Sequence, residues 1–464
     1  MNAKFIASVC LAVGFGHPGF SQVLSLPDAL QRSAGNYQSI RSKTALARAA
    51  EHHTAFQRQQ LLPDLTFAAQ QNFGTINAQH GPMYAYGGLA SAATSMPLAE
   101  QNWHAAFGSL YFANVNWNVF TFGRLKRQVE VAEAGERTAT ADVAQEVFQH
   151  QVRVAAAYLN LLASQRIKYV QQKNLERAQV FFDMTDVRAR SGLIPEVDAS
   201  LAKAEVSNAK SLQIKAYDKE LEYSRQLAVM LGETFRVYEL DSIFSATLPA
   251  TGGMVAEAAT GLHPVLQWKQ SMVEKSRHAE QLLHAYRMPS LSAFGVIQGR
   301  GSGFDWDYAQ NTRAYSSAYL KGAGIDRGNY LLGLSLSWNL TDFFRRQQKV
   351  TEQRFTTRSL QHEYELAGNE LNVQFSLAVT QLQNALDNHR ETGVQLAAAR
   401  QAYLQHTALY NNGLTTLVDY TQALYSLNRA EIDYEIAQNN VWQALLLRAA
   451  SAGDLTVLLN ANKK

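Results

Sequence analysis

Apolar and polar residues alternate one by one along three short segments of the chain and less cleanly along a fourth, near residues 291–298. In the first segment Leu65, Phe67 and Phe73 occupy odd positions, whereas Gln70 and Asn72 occupy even ones. Because successive side chains of a strand point to opposite faces, this alternation predicts strands with one apolar and one polar face. The predicted strands cover about residues 64–73, 107–119, 289–298 and 330–339.

Two much longer segments, residues 124–190 and 345–411, have a helical pattern. Each contains 67 residues without proline. A continuous helix of that length would extend for roughly 100 Å. Apolar residues recur every seven positions along neighbouring rows, for example Val147, Val154 and Leu161. Two adjacent apolar rows predict a helix that packs against another helix on each side.

Shorter helices and two long loops are predicted between these elements. Stretches bounded by proline or glycine predict helices over residues 27–62, 196–231 and 254–288, and a last helix that runs from after Gly413 to about residue 452. Residues 74–103 and 299–328 are rich in Gly, Ser and Tyr and predict loops.

Three landmarks recur at one constant offset of 221 residues. They are a Trp-Asn pair, an arginine that opens the long helix, and a Gly-Leu turn followed by an aspartate six residues after the glycine. The first copies lie at 117–118, 124, 192–193 and 198, and the second at 338–339, 345, 413–414 and 419. A shared offset predicts a tandem duplication. We interpret residues 22–232 as the first repeat, 233–255 as a linker, 256–453 as the second repeat and 454–464 as a tail.

The N-terminus predicts an export signal over residues 1–21. Lys4 precedes an apolar segment that runs from Phe5 to Phe15, and small residues follow near Ser21. Cys10, the one cysteine, lies inside this segment, so the mature protein would have no disulfide or thiolate site. Lipid attachment at Cys10 is the less favoured alternative, because Val9 occupies the position where a small residue is required.

Composition narrows the functional classes. With 47% apolar residues the chain is not disordered, and a net charge of +3 gives no reason to expect nucleic acid as a partner. The run Glu51-His52-His53 lacks a further ligand at suitable spacing, so no metal site is predicted. Residues 299–303 resemble a phosphate-binding loop only superficially, and a mobile surface loop is the preferred interpretation. No nucleophile with its base is found; we expect neither an enzyme nor a cofactor.

Entry into a membrane would depend on the alternating strands. After the signal no stretch approaches the 18 or more apolar residues of a membrane-spanning helix, so a closed barrel is the remaining possibility. Trp117 and Trp338 then suit a membrane interface. Taken alone, the alternation is equally well explained by a half-buried sheet in a soluble domain.

With these elements the chain resembles the TolC-like outer-membrane efflux family. The resemblance covers almost the whole mature chain and depends most on the Gly-Leu turn, which occurs twice, each time after a 67-residue helical segment. It implies a mostly α-helical fold with a transmembrane β-barrel part, in which four strands per protomer contribute to a 12-stranded barrel above a long α-helical barrel. Four strands are too few to close a barrel alone, so chains must share strands. That three chains do so is implied by the resemblance.

The resemblance also implies roles for residues at the turns. Gly192 and Leu193, together with Gly413 and Leu414, correspond to turns that dock a periplasmic adaptor. A periplasmic gate is implied at Asp198, Tyr410 and Asp419, with Asp419 in an acidic ring. For the two aspartates, capping of a helix N-terminus is an equal alternative to a gate role. For Tyr410, plain packing is the favoured interpretation.

Two positions depart from the family. The chain has Thr415 where well-known members have arginine, and Gln422 where a second acidic ring would lie. The gate is therefore expected to have fewer charged links.

The function implied is that of a passive exit duct in a tripartite efflux or type I secretion system. Its partners would be two further copies of the chain, a periplasmic adaptor, an inner-membrane transporter and outer-membrane lipid. It would lie in the outer membrane with a long periplasmic extension. The alternative is an exported trimeric coiled-coil scaffold or adhesin without a pore, which has no need of apolar-faced strands. The sequence leaves the cargo open among drug, metal, siderophore and protein.

Overall fold

A computed structural model describes residues 23–78, 96–249 and 262–461. The predicted signal peptide therefore lies outside the described residues, as do Cys10, most of the first long loop and the end of the linker. The elements in chain order are α1 (Leu26–Asn36), α2 (Gln38–Gln59), β1 (Asp64–Thr75), β2 (Ala105–Phe120), α3 (Arg124–Arg190), α4 (Glu196–Leu231), α5 (Ile243–Ala246), α6 (Pro264–Ala285), β3 (Ser290–Ser302), α7 (Tyr319–Ala323), β4 (Arg327–Ser337), α8 (Leu340–Asn411), α9 (Leu417–Ala452) and α10 (Thr456–Asn460).

The fold is mostly helical with four antiparallel strands, which confirms the predicted fold class at this level. The chain divides into two compact units. One comprises the described residues of Met1–Ala47, Ala139–Gln270 and Gln361–Lys464, and the other comprises those of Arg48–Thr138 and Ser271–Leu360. The division into two sequence repeats with a linker stays a prediction.

The second long helix, α8, has 72 residues and begins at Leu340, five residues before the predicted start. Asn339 explains the difference, because its side chain accepts hydrogen bonds from the Thr341 hydroxyl and the Asp342 amide, as an N-cap residue does. Asp342 and Arg346, one turn apart, form an ion pair at 3.1 Å. The helix therefore starts at its cap rather than at the arginine that the repeat offset indicated.

Two further expectations are corrected. The helix predicted over residues 27–62 is interrupted at Tyr37, whose backbone is extended and whose ring stacks on His150 at 3.7 Å. Residues 299–302 belong to β3, and the predicted loop that follows contains the short helix α7. The glycines of residues 299–302 let another backbone segment pack closely on the strand. Amino-acid composition alone does not distinguish such glycines from the glycines of a loop.

The sheet has the order β1-β2-β3-β4, with β1 and β4 at its edges. Side chains of one face are mostly apolar and largely exposed; Phe67 is 74% exposed and Leu332 also 74%. The opposite face is mostly polar and includes Thr66, Asn114 and Ser335. Within the described residues of one chain the sheet is open, because none of their strands pairs with the outer edges of β1 and β4.

The other unit has an ordinary buried core. Trp442 is 1% exposed, packs edge-on against Phe244 at 4.9 Å and donates its indole N–H to the Thr247 carbonyl. Tyr158 is fully buried, and its hydroxyl donates to the Leu24 carbonyl at 2.8 Å. Aromatic side chains from α3 and α9 thus hold irregular segments of the chain, with their polar atoms satisfied.

Candidate functional site

The two Gly-Leu turns have the same geometry. Gly192 and Gly413 have φ of 69° and 72°, a left-handed conformation that glycine adopts without a steric penalty. After α3, the Leu193 amide donates to the Arg188 carbonyl at 2.9 Å. After α8, the Leu414 amide donates to the Leu409 carbonyl at 2.9 Å. Each long helix therefore ends in a Schellman-type cap.

Both turns present apolar side chains to solvent. Leu193 is 74% exposed and Leu414 is 72% exposed. Val197 and Val418, four residues further along each copy, are also exposed. A methyl group added to Gly192 or Gly413 would meet no atom within 4 Å. The glycines are thus required for their φ angle, and the surface around them is open.

The two equivalent aspartates have different surroundings. Asp419 completes a capping box at the start of α9: its amide donates to the Thr416 hydroxyl, and its carboxylate accepts from the Thr416 amide. The carboxylate also accepts from the Thr415 hydroxyl at 2.9 Å. Hydrogen bonds from Thr416 and then Thr415 hold the pKa of Asp419 below its usual range.

Asp198 stands in the first turn of α4, where the N-cap residue is Pro195 and has no side-chain acceptor. Asp198 is half-buried and lies at the positive end of the helix dipole. The two copies of the turn therefore share their backbone but not their capping chemistry.

Tyr410 is buried within a cluster of aromatic and aliphatic side chains. Its ring lies 5.3 Å from that of Phe181, and Phe181 stacks on Tyr420 at 3.9 Å. Burial raises the pKa of the Tyr410 phenol, and the charge of Asp198 raises it further. Among the described residues no hydrogen bond joins Tyr410 to Asp198. The cluster comprises Phe181, Ala202, Tyr410, Leu417, Tyr420 and Leu424.

Arg188 connects the end of α3 with the end of α8. Its guanidinium donates to the Asn411 carbonyl at 2.9 Å and to the Tyr410 carbonyl at 3.4 Å. It thereby satisfies terminal carbonyls of α8 and places a positive charge at the negative end of the helix dipole. Arg188 could not be identified from the sequence, because only the approach of the two helix ends distinguishes it from the other arginines of α3.

The positions that depart from the family are filled by polar side chains. Thr415 binds the Asp419 carboxylate, as described above, and Gln422 is exposed on α9. Neither residue contributes a charge.

A cavity of about 610 Å³ lies between α3, α8 and α9. Arg177 and Glu431 form a two-fold hydrogen-bonded ion pair in its wall, at 2.9 and 2.5 Å. Tyr403 contributes a hydroxyl that lies 3.2 Å from the Tyr420 hydroxyl. The cavity wall is charged and aromatic, and the paired charges brace α3 against α9.

The two tryptophans have matching contacts in the sheet unit. Trp117 donates its indole N–H to the Leu61 carbonyl at 3.0 Å, and Trp338 donates to the Arg287 carbonyl, also at 3.0 Å. Both are about half exposed. Trp338 lies just after β4, rather than within a strand as predicted. Each indole therefore holds the segment that leads into the adjacent strand.

No helix in the three described ranges has the length and apolar character needed to cross a membrane. The same ranges contain no group of three or more His, Cys, Asp or Glu side chains arranged to hold a metal ion.

Comparison with solved structures shows a shared fold. The outer membrane protein VceC of Vibrio cholerae superposes with a TM-score of 0.72 at 15% identity, over 92% of this chain and 96% of that one. The MtrE outer membrane channel of Neisseria gonorrhoeae has a TM-score of 0.67 at 14% identity, over 92% and 89%. The CmeC outer membrane channel of Campylobacter jejuni has 0.70 at 12%, over 92% and 85%.

Comparison with curated protein sequences finds no match. The family model described as outer membrane efflux protein matches residues 29–233 and 303–453, which is more than half of the chain. This match confirms the resemblance inferred from the turns and the long helices. The chain belongs to the outer membrane efflux protein family and is a protein of the outer membrane.

Proposed function

We propose that the protein is the exit duct of a tripartite efflux or type I secretion system and conducts its cargo passively. The observation that carries this proposal is the open, two-faced sheet. Its apolar face is exposed, as a lipid-facing surface would be, and its polar face suits a water-filled passage. The inner-membrane transporter would supply the energy.

Closure of the passage requires several chains. A sheet edge left unpaired in hydrocarbon is costly, and the smallest membrane barrels have about eight strands. The strand order leaves β1 and β4 free to pair with neighbouring copies. We propose a homotrimer with twelve strands, a number taken from the family resemblance.

The Gly-Leu turns are proposed to dock a periplasmic adaptor. Leu193 and Leu414 offer exposed apolar side chains on rigid, glycine-dependent turns, which suits a partner with an apolar groove. We further propose that Asp198, Tyr410 and Asp419 belong to a periplasmic gate. For Asp419 the capping box fixes the carboxylate but leaves it exposed, so one residue can serve both the helix and the gate.

Conductance in planar lipid bilayers tests the duct. Purified protein should insert as trimers and give stable single channels. A soluble, non-conducting rod would instead support the alternative, a trimeric scaffold or adhesin without a pore. The exposed apolar face of the sheet favours the duct, because a scaffold in water would gain nothing from it.

A further inference from the structure

The polar face of the sheet has two arginines side by side at one level. Arg300 in β3 pairs directly with Arg327 in β4. Because directly opposed residues of antiparallel strands point to the same face, the two guanidinium groups share that face. Both side chains are exposed. Within the four described strands, the one other ionisable residue on this face is Asp64, at the opposite end of β1.

Within the four described strands, no carboxylate lies beside the two arginines at this level. Leu110 is the partner of Arg300 in β2, and Gln70 is the partner of Leu110 in β1. Asp326 immediately precedes β4, and its carboxylate accepts a hydrogen bond from the Ser302 amide at 3.2 Å. Neither arginine forms an ion pair within the described part of the chain. Like charges directly opposite each other destabilise a sheet, so a bound anion would relieve this pair.

The backbone around Arg300 is held from the opposite face. A methyl group on Gly299 would approach Ile325 to 2.8 Å, and one on Gly301 would collide with the Gly324 carbonyl. Arg300 itself accepts a backbone hydrogen bond from the Asp326 amide at 2.9 Å. The run 299–303, interpreted from sequence as a mobile surface loop, therefore positions an arginine between two glycines that admit no side chain.

The chemistry of this pair points to an oxyanion. A guanidinium group donates two parallel hydrogen bonds that match a carboxylate or phosphate, and rings of arginine line anion-selective pores. We propose that Arg300 and Arg327 form an anion-binding station on the inner wall of the duct, with multivalent phosphate or carboxylate groups as its ligands. This inference rests on the proposed function, since trimer closure would bring three such pairs around one passage.

Block of single-channel current by tripolyphosphate tests the station. The bilayer should contain only phosphatidylcholine, so that block comes from free anion and not from anionic lipid headgroups. We expect the double variant Arg300→Gln/Arg327→Gln to need at least tenfold more tripolyphosphate for half block. Its reversal potential in a salt gradient should also shift toward cation preference.

Two further variants separate the outcomes. Arg313→Gln removes the same charge from the connection between β3 and β4, and its block should be unchanged. Arg300→Lys/Arg327→Lys keeps the charge but loses the planar fork, so its block should be intermediate.

Equal block in wild type and the Gln double variant would overturn the station, as would an equal loss in Arg313→Gln. Should the Gln double variant not insert, undiminished block in the Lys double variant would overturn it. Absence of any conductance in the wild type would instead overturn the duct.

Discussion

The Asp419 carboxylate accepts a hydrogen bond of 2.7 Å from the Thr416 hydroxyl, within a capping box that leaves the carboxylate exposed. Two roles of Asp419, capping of α9 and contribution of a negative charge to the passage, can therefore be separated by experiment. If the charge forms an acidic ring, Asp419→Ala should reduce the cation preference of single-channel currents and weaken block by multivalent cations.

Thr416→Ala is the matched control, because it breaks the cap and keeps the charge. Its selectivity should remain that of the wild type, although loss of the cap should destabilise the start of α9 by about 1 kcal/mol. An equal change of selectivity in both variants would assign the effect to capping instead.

The capping box should also respond to acid. The pKa of Asp419 is lowered in the folded protein, so its ionised form stabilises the fold above the ordinary aspartate range, and this contribution is lost as pH falls through the folded pKa. Hydrogen exchange of the amides of Asp419 and Tyr420, corrected for intrinsic rates, should lose protection on acidification below about pH 4. An Asp419→Asn variant, which has no carboxyl group to titrate at this position, provides the reference. A similar loss of protection in that variant would contradict this prediction.

The Gly-Leu turns allow a closely matched test of docking. Asparagine and aspartate have nearly the same shape and both tolerate a positive φ, so Gly192→Asn should preserve the turn while Gly192→Asp adds a charge to it. We expect Gly192→Asp and Gly413→Asp to abolish export and leave trimers in the outer membrane. The asparagine variants should keep export. Survival of export in both aspartate variants would show that the turns do not dock the adaptor.

The Arg177–Glu431 pair should stabilise the helical unit. Its side chains are only 21% and 15% exposed. Replacing Arg177 with Gln leaves Glu431 partly buried without its partner, and we expect a loss of about 2 kcal/mol in the free energy of unfolding. Urea denaturation in detergent would measure this loss.

A double-mutant cycle with Glu431→Gln should recover much of that loss, because no uncompensated charge remains. The analogous Arg166–Glu435 pair has a more exposed arginine, at 40%, and Arg166→Gln should cost about 1 kcal/mol. Equal losses at the two pairs would show that burial does not determine their contribution.

Elements with strong punctuation could be predicted from the sequence. Gly192, which adopts a left-handed backbone without steric penalty, follows the end of α3, and Pro195 precedes the start of α4. These two residues allow the end of the first helix and the start of the second to be predicted. The alternation in β1 and β4 identifies both faces of the sheet, since side-chain direction in a strand depends only on parity.

Features that depend on distant contacts could not be predicted. The break at Tyr37 depends on stacking with His150, more than a hundred residues away. Gly299 and Gly301 have the composition of a loop, yet they form a strand because the segment around α7 packs directly on them. Arg188 becomes informative only when the end of α8 lies beside it. In each case the prediction requires knowledge of which distant segment of the chain packs against the residue.

The two unpaired edges of the sheet have a genetic consequence. If each copy pairs its β1 and β4 edges with the two neighbouring copies, one copy with a damaged edge strand leaves a neighbouring strand unpaired. The intact copies are then unable to close the barrel. In a cell that makes normal and edge-damaged chains in equal amounts, random mixing would give about one trimer in eight with three normal chains. Only those trimers would be intact, because every subunit of the ring is needed to close it. Edge mutations in β1 or β4 should therefore be inherited as dominant-negative alleles, whereas defects confined to a core such as that around Trp442 should be recessive.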